Sequence, residues 1–381
     1  MLNLTESQLQ IQKMARDFAN KVIAPQALKL DESEDFPHDI FEKMRQVGLT
    51  GIAIDPAYGG SGGGAVETVL AVEEICRAYA GVGTILAVQI GLYGPVIVRF
   101  GSEAQKKAFV EPLSTGKLVG AFALTEPNAG SNAAALETTA IRKGDRYILN
   151  GSKTFISCAD GATHFIVAAT TDKAKGSKGI AIFVVARNTK GVSLKKQHGK
   201  IGIIASTTCD LFFDDAEVPA ANLIGREDEG YKYLLQVLEV SRMSVAAQAT
   251  GIAQSALDTS VAWAQQRKSF GAPLAQHQGI QFMLSEMATR VEAARLLTHQ
   301  AAALSDAGKP FSKESSMAKL FAAEAAMWVS TKAVQVHGGY GYFKGSIVER
   351  CFRDAKITEI YEGTSEVQKM LIAKRLFEGN R

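Results

Sequence analysis

The sequence predicts an α+β protein in three blocks: helical to about residue 120, β-rich to about 225, and helical again to the end. Three patterns carry this expectation. Apolar residues recur at helical spacing in the first block, short β-branched and aromatic runs fill the second, and the third keeps one apolar face over several turns. Strands and helices do not alternate, so a Rossmann sheet is not expected.

In the first block, Thr5 and Gln8 have the spacing of a capping box, and Ile11, Met14, Phe18 and Val22 follow along one helical face. Ser102 with Gln105 opens another helix in the same way. Between them, Ala78 to Val98 runs uncharged from Arg77 to Arg99, long enough to cross a bilayer. Its Gly81, Gly83, Gln89, Gly91, Gly94 and Pro95 suit two buried helical pieces better than a lipid-facing span, so no membrane association is expected. In the second block, Arg146 to Leu149, His164 to Thr171 and Gly179 to Ala186 read as strands, with Asn150-Gly151 as a hairpin turn. In the third, Ile280, Leu284, Met287, Val291, Leu297, Ala301 and Leu304 share a face until Gly308 stops the helix, the pattern of a bundle.

Composition narrows the function. A chain of 381 residues, 46% hydrophobic and 21% charged, buries a large core and exceeds the usual size of one domain. The net charge of +3 comes from 42 basic and 39 acidic residues without a clustered basic face, so no nucleic-acid partner is expected. Cys76, Cys158, Cys209 and Cys351 are not closely paired, and the six histidines fall into no metal-ligand spacing. Free thiols, no metal and a reducing compartment are therefore expected. The start, Met1 to Glu6, has neither the basic-then-apolar character of a signal peptide nor that of a transit peptide, and the expected location is cytoplasmic.

Gly59-Gly60-Ser61-Gly62-Gly63-Gly64 fits neither the dinucleotide fingerprint nor the phosphate-loop pattern, and reads as a flexible loop. The run Gln335 to Tyr342 places Gly338-Gly339 at the end of an apolar helix, either as a helix cap or as a place where a ligand approaches the backbone. Three groups of carboxylates could carry chemistry. Asp214-Asp215 precede Ala216-Glu217-Val218-Pro219 in an expected turn, where short acids satisfy backbone groups. Glu126, in Thr125-Glu126-Pro127, stays open. Glu362 follows Ile360-Tyr361 and precedes Gly363, which sets a carboxylate against an apolar wall where desolvation raises its pKa towards that of a general base. No histidine sits in a recognisable nucleophile arrangement.

Two separated blocks resemble the signatures of the acyl-CoA dehydrogenases: Phe122 to Ser131, and Gln335 to Gly341 continuing to Arg353-Asp354-Ala355-Lys356-Ile357. The likeness runs in order along essentially the whole chain. It implies the acyl-CoA dehydrogenase-like fold, with an N-terminal all-α domain over 1–120, a central β-domain over 121–228 and a C-terminal four-helix bundle over 229–381, assembled as a homotetramer. It implies FAD as cofactor, lodged between the β-domain and the bundle. By the resemblance, Phe122, Leu124, Thr125, Gly130 and Ser131 lie along the flavin, and Phe155, Ile156 and Ser157 cover one face of its ring. Arg267, Phe270 and Gln278 belong to a segment that reaches across a subunit interface to the FAD pyrophosphate and adenine. Gln335, Gly338 and Gly339 pack against the cofactor, and Thr364 and Glu366 lie in the turn after the catalytic carboxylate.

The implied reaction is α,β-dehydrogenation of an acyl-CoA. Glu362 removes the proton next to the thioester carbonyl, hydride leaves the next carbon for the flavin, and trans-2-enoyl-CoA results, as in β-oxidation of fatty acids. Electrons pass to an electron-transferring flavoprotein. Ser131, Arg242, Tyr361 and Gly363 match positions at the acyl-CoA. Some members place the base near position 241, which is serine here. Tyr93 in Leu92-Tyr93-Gly94-Pro95 is similar to the short-chain members and suggests a four-carbon acyl group. The chain departs from the family at Asn132 and Ile204, where aspartate and arginine are usual; if those two pair in relatives, losing both avoids a buried lone charge. Gly59 to Gly64 and Lys313-Glu314-Ser315 are similar to the acrylyl-CoA reductase branch, which runs the reaction towards the saturated acyl-CoA. A flavin monooxygenase would not use Glu362, and a cofactor-free scaffold would gain nothing from Glu362 and Arg267.

Overall fold

The computed structural model describes residues 4–378, so Met1 to Asn3 of the expected leaderless start lie outside the described residues. The first block forms α1 (Glu6–Phe18), α2 (Ala27–Ser33), α3 (His38–Gln46), α4 (Ala65–Ala78), α5 (Ala80–Ala87), α6 (Gly94–Phe100), α7 (Glu103–Gln105) and α8 (Glu111–Ser114). Both capping boxes are present: Thr5 and Gln8 exchange bonds at the start of α1, and Ser102 and Gln105 at the start of α7. The apolar stretch differs from the sequence expectation. It is one continuous run, Ala80–Phe100, whose middle turn is a π-helix over Val88–Tyr93, and it is mostly buried inside the fold. Among the described residues it is the one helix long and apolar enough to cross a membrane.

The second block forms β1 (Gly120–Ala123), β2 (Thr139–Lys143), β3 (Arg146–Ser157), β4 (His164–Thr170), β5 (Ile180–Ala186), β6 (Val192–Gln197) and β7 (Thr208–Pro219). They form one seven-stranded sheet in the order β1-β4-β2-β3-β7-β6, with β5 on β4. Two sequence expectations are corrected here. The β2–β3 turn falls at Gly144-Asp145, while Asn150-Gly151 lies inside β3, where the register against β7 shifts. Asp214 and Asp215 are not in a loop but in β7 opposite that shift, and the Asn150 side chain caps the irregularity by donating to Asp215 Oδ1 and accepting the Asp215 amide. A turn dipeptide inside a long strand thus serves a bulge.

The third block forms α9 (Gly230–Gln266), a hairpin of β8 (Lys268–Ser269) and β9 (Ala272–Pro273), then α10 (Gln278–Asp306), α11 (Ser312–His337), α12 (Gly339–Tyr342), α13 (Ile347–Thr358) and α14 (Ser365–Glu378). α9, α10, α11 and α13 pack together, and α4 lies against α9 and α10, so the first and third blocks share a core. The blocks are also tied by polar groups: Arg353 of α13 pairs with Asp31 of α2 at 2.5 Å, and Asp354 accepts the Ile203 amide at 2.6 Å.

The glycine run is packed, not slack. Gly62 and Gly63 donate to the carbonyls of Ile54 and Ile52 at 2.8 Å, and a β-carbon on Gly60 would collide with the Ile54 carbonyl. The four cysteines are free and buried.

Candidate active site

Glu362 lies in the turn between α13 and α14. The Ile357 carbonyl receives the amides of Ile360 and Tyr361, and Glu359 receives the Ser365 amide at 3.0 Å, which closes the turn. Its apex is left-handed, with φ of +52° at Glu362 and +93° at Gly363. For a non-glycine residue this costs about 1–3 kcal/mol and persists only where the surroundings hold it. Here Lys319 Nζ from α11 and Gln368 Nε2 from α14 both donate to the Gly363 carbonyl, at 2.8 and 2.9 Å.

The Glu362 carboxyl faces α9 and α11. Burial pushes its pKa up to about 7, against opposing pulls from the Ser241 hydroxyl, Lys319 and Arg242. Ser241, the alternative position for a base, therefore stands beside Glu362. Among the described residues, Glu362 Oε2 is buried without a hydrogen-bond partner, and the Glu362 amide meets no backbone acceptor. Arg242 is buried, its Nε lacks a partner, and its NH1 is 3.5 Å from Ser316 Oγ. The Tyr361 hydroxyl donates to Gln248, whose Nε2 donates to Thr84 at 2.8 Å. The site thus offers an orphaned carboxylate oxygen, a free amide beside it, and two buried cations behind.

A second group forms on the sheet. Phe155 occupies a bulge where β3 and β7 slip between Lys153 and Ile156; its φ is +58° and its side chain is 68% exposed. The Thr154 amide donates to the Thr125 carbonyl at 2.9 Å, which ties the bulge to the loop carrying Leu124, Thr125, Gly130 and Ser131. Phe122 and Leu124 are partly buried against the core, whereas Gly130 and Ser131 are exposed. Strand alternation turns the Ile156 side chain inward, so the exposed face consists of Phe155 with half-buried Ser157.

A third group is exposed on the bundle. The β8–β9 turn carries Phe270, with φ of +51° and 98% exposure, and Gly271, with φ of +81°. The Arg267 guanidinium lies 5.3 Å from the Tyr340 ring centre, which joins this hairpin to Gln335, Gly338 and Gly339. Gly338 ends α11 with φ of +59°, so the cap and the exposed approach coincide. Gln278 opens α10. Thr364 caps α14 by accepting the Val367 amide, and Glu366 in its first turn is exposed, its pKa lowered chiefly by a backbone amide.

Glu126 leaves the list of candidate bases. It is buried, and both of its carboxylate oxygens are engaged, by Lys153 Nζ at 2.6 Å and by the amides of Glu137 and Thr138. Tyr93, the residue read as setting chain length, is fully buried, with its ring over Gly120 at the root of β1. Asn132 is exposed and Ile204 is buried, so an arginine at 204 would itself be a buried charge.

The sequence matches the acyl-CoA dehydrogenase N-terminal domain over residues 5–117, the middle domain over 121–216 and the C-terminal domain over 228–377. The chain belongs to the acyl-CoA dehydrogenase family. It is 47% identical to an acyl-CoA dehydrogenase of Bacillus subtilis over 378 residues, covering 99% of this chain and 100% of that one. It is 46% identical to an acryloyl-CoA reductase (NADH) of Anaerotignum propionicum, covering 99% and 96%. The butyryl-CoA dehydrogenase of Megasphaera elsdenii superposes with a TM-score of 0.97 at 43% identity, covering 99% and 100%. This acyl-CoA dehydrogenase is thus an oxidoreductase of the short-chain type, and like its family it is an FAD-dependent flavoprotein.

The residues fit that cofactor. Phe155 offers a flat apolar face that nothing in the chain covers, and its left-handed backbone is strain kept at a site where a ring can stack. Arg267 is a rigid fork of donors suited to a phosphate, beside glycines that let a ligand approach the main chain.

Lys319 was not legible as a site residue. Ala318-Lys319-Leu320 reads as an ordinary solvated helix charge. The signal that could have found it is its stripe: Ser315, Ala322 and Ala326 lie on the same helical face and are buried.

Proposed function

We propose that this acyl-CoA dehydrogenase removes the elements of hydrogen from a short acyl-CoA, with Glu362 as the base. The carrying observation is the buried, unpartnered Oε2 of Glu362 beside a free backbone amide. The carboxylate takes the proton α to the thioester carbonyl, and a pKa of about 7 matches a base working near neutrality. As that proton leaves, negative charge grows on the carbonyl oxygen. The Glu362 amide is the donor for it, and one such donor is worth about 3 kcal/mol in the transition state. Ser131, Arg242, Tyr361 and Gly363 line the acyl-CoA in this reading, and Arg242 also keeps Glu362 ionised before the proton arrives.

The Phe122–Ser131 segment, Phe155 to Ser157, Thr364, Glu366 and, from a neighbouring subunit, the Arg267, Phe270, Gln278, Gln335 and Gly338-Gly339 surface would hold FAD, which would supply the hydride acceptor. The exposed aromatics of that surface favour a homotetramer, in which they would be covered. An electron-transferring flavoprotein is the partner that reoxidises the enzyme.

A second reading is enoyl-CoA reduction, favoured by the 46% identity to an acryloyl-CoA reductase. Anaerobic addition of butyryl-CoA to the purified yellow enzyme, followed by visible absorption, tests the first. Rapid bleaching supports short-chain dehydrogenation; an unchanged oxidised spectrum rejects it and directs the assay to enoyl-CoA reduction.

A further inference from the structure

Lys319 is fully buried, and among the described residues its one hydrogen-bond acceptor is not a carboxylate. Its acceptor is a neutral carbonyl, that of Gly363, the residue after Glu362. Burying a cation on a neutral partner is costly, so its surroundings must supply what a counter-ion would. Three acids lie near enough to act on it through space: Glu362, Glu359 and Glu366. Of these, Glu362 is the one with a buried carboxylate oxygen that lacks a partner.

From this geometry we infer that Lys319 is a positioning residue, which pins the left-handed Glu362–Gly363 turn through the Gly363 carbonyl and holds the Glu362 carboxylate ionised until the substrate proton arrives. The inference rests on Glu362 being the base. The clamp has two jaws on one oxygen, Lys319 at 2.8 Å and Gln368 at 2.9 Å, and Gln368 reaches the Glu362 carbonyl at 3.4 Å as well. Both carbonyls flanking the apex are thereby fixed, which aims the side chain and the amide of Glu362 together. A base displaced by about 1 Å loses on the order of a hundredfold in rate.

The other groups around Glu362 define what a pH experiment reads. α9 contributes the Ser241 hydroxyl and Arg242, and Arg242 feels Glu239 and Arg375 in turn. The turn contributes Tyr361 and Glu359, α14 contributes Glu366, and Cys76 of α4 faces Tyr361. Burial pushes both Tyr361 and Cys76 up, so neither ionises near neutrality. Arg242 stays charged, and of the other acids Glu366 is exposed while Glu359 and Glu239 are half-buried. Burial draws Lys319 itself down to about 8, so its charge and its hold on Glu362 fade over the upper part of that range. Glu362 is the group whose ionisation the charged Lys319 shifts near pH 7.

The test uses the FAD-loaded enzyme and the rate of flavin bleaching by butyryl-CoA between pH 5.5 and 9, or, if reduction is the working direction, reoxidation by the enoyl-CoA. Lys319→Gln keeps a donor and removes the charge; its rate profile should move to higher pH by about one unit, the scale set by an opposite charge nearby. Lys319→Arg should keep the wild-type midpoint at a lower plateau. Gln368→Met, which leaves the cation in place, should lower the plateau roughly tenfold to a hundredfold without moving the midpoint. A wild-type midpoint in Lys319→Gln overturns the inference. If that variant does not hold FAD, Gln368→Met decides alone: a reduced plateau at the wild-type midpoint supports the clamp, and an unchanged plateau overturns it. Glu362→Gln is the control, since substantial turnover in it would remove the base assignment itself, independently of Lys319.

Discussion

The Glu126–Lys153 pair separates a structural carboxylate from a catalytic one, and Glu126→Gln is the perturbation that does so. Lys153 is 0% exposed and Glu126 is 4% exposed, with 2.6 Å between charged atoms. Removing one partner of such a buried pair leaves an uncompensated charge and costs about 3–5 kcal/mol. The loss should depend on pH with a definite sign. Burial draws Lys153 down to about 8, against the pull of Glu126 in the other direction. Between that value and the ordinary 10.5 the unfolded chain keeps a proton that the folded chain sheds, so stability rises with pH through this window. Without Glu126 the lysine falls lower still, and the penalty of the variant should shrink between pH 7 and pH 9. Denaturant unfolding of the two proteins at both pH values gives the numbers, and flavin bleaching per bound FAD gives the activity. A second variant, Glu126→Leu with Lys153→Met, replaces the pair with apolar groups and should recover much of the loss. If Glu126→Gln unfolds like the parent yet has lost turnover, Glu126 is catalytic and the structural argument fails.

Other outcomes follow from the same geometry. Glu362→Gln should retain FAD and lose roughly 10²–10⁴ in rate, the usual share of a general base, measured by anaerobic bleaching; a near-normal rate refutes the assignment. In the parent enzyme that rate should climb with pH through about 7, because the Glu362 carboxyl must be ionised to accept a proton; a flat profile from 5.5 to 8 is the contrary result. Arg267→Ala should purify with less FAD, since a charge-assisted contact is worth about 1.5–3 kcal/mol, and Arg267→Lys should rescue it poorly for want of the fork; full flavin content in the alanine variant would place the pyrophosphate elsewhere. Gly60→Ala should lower stability by about 1–3 kcal/mol, because its β-carbon has no room beside the Ile54 carbonyl; an unchanged unfolding midpoint would show that the loop can yield.

The three-block order was legible in the sequence because hydrophobic period is a local property: of the face read from the spacing, Phe18 is buried and Ile11, Met14 and Val22 pack partly buried against the core, and His164, Phe165 and Val167 lie in β4 as their run suggests. Caps were legible for the same reason, since Thr5 with Gln8 and Ser102 with Gln105 act across three residues. Glu362 stood out because an acid after Ile360-Tyr361 and before Gly363 is rare chemistry in a short string, and the family resemblance gave it a role. Asn150-Gly151 misled because a turn dipeptide specifies left-handed backbone, which a bulge uses as readily as a hairpin. Only the fold decided which charges meet. Glu126 found Lys153 across 27 positions, Lys319 reached Gly363 across 44, and the Tyr93 ring packed over Gly120. Such pairings depend on helix packing and sheet register, which bring distant side chains together in a low dielectric, and no window of neighbouring residues encodes them.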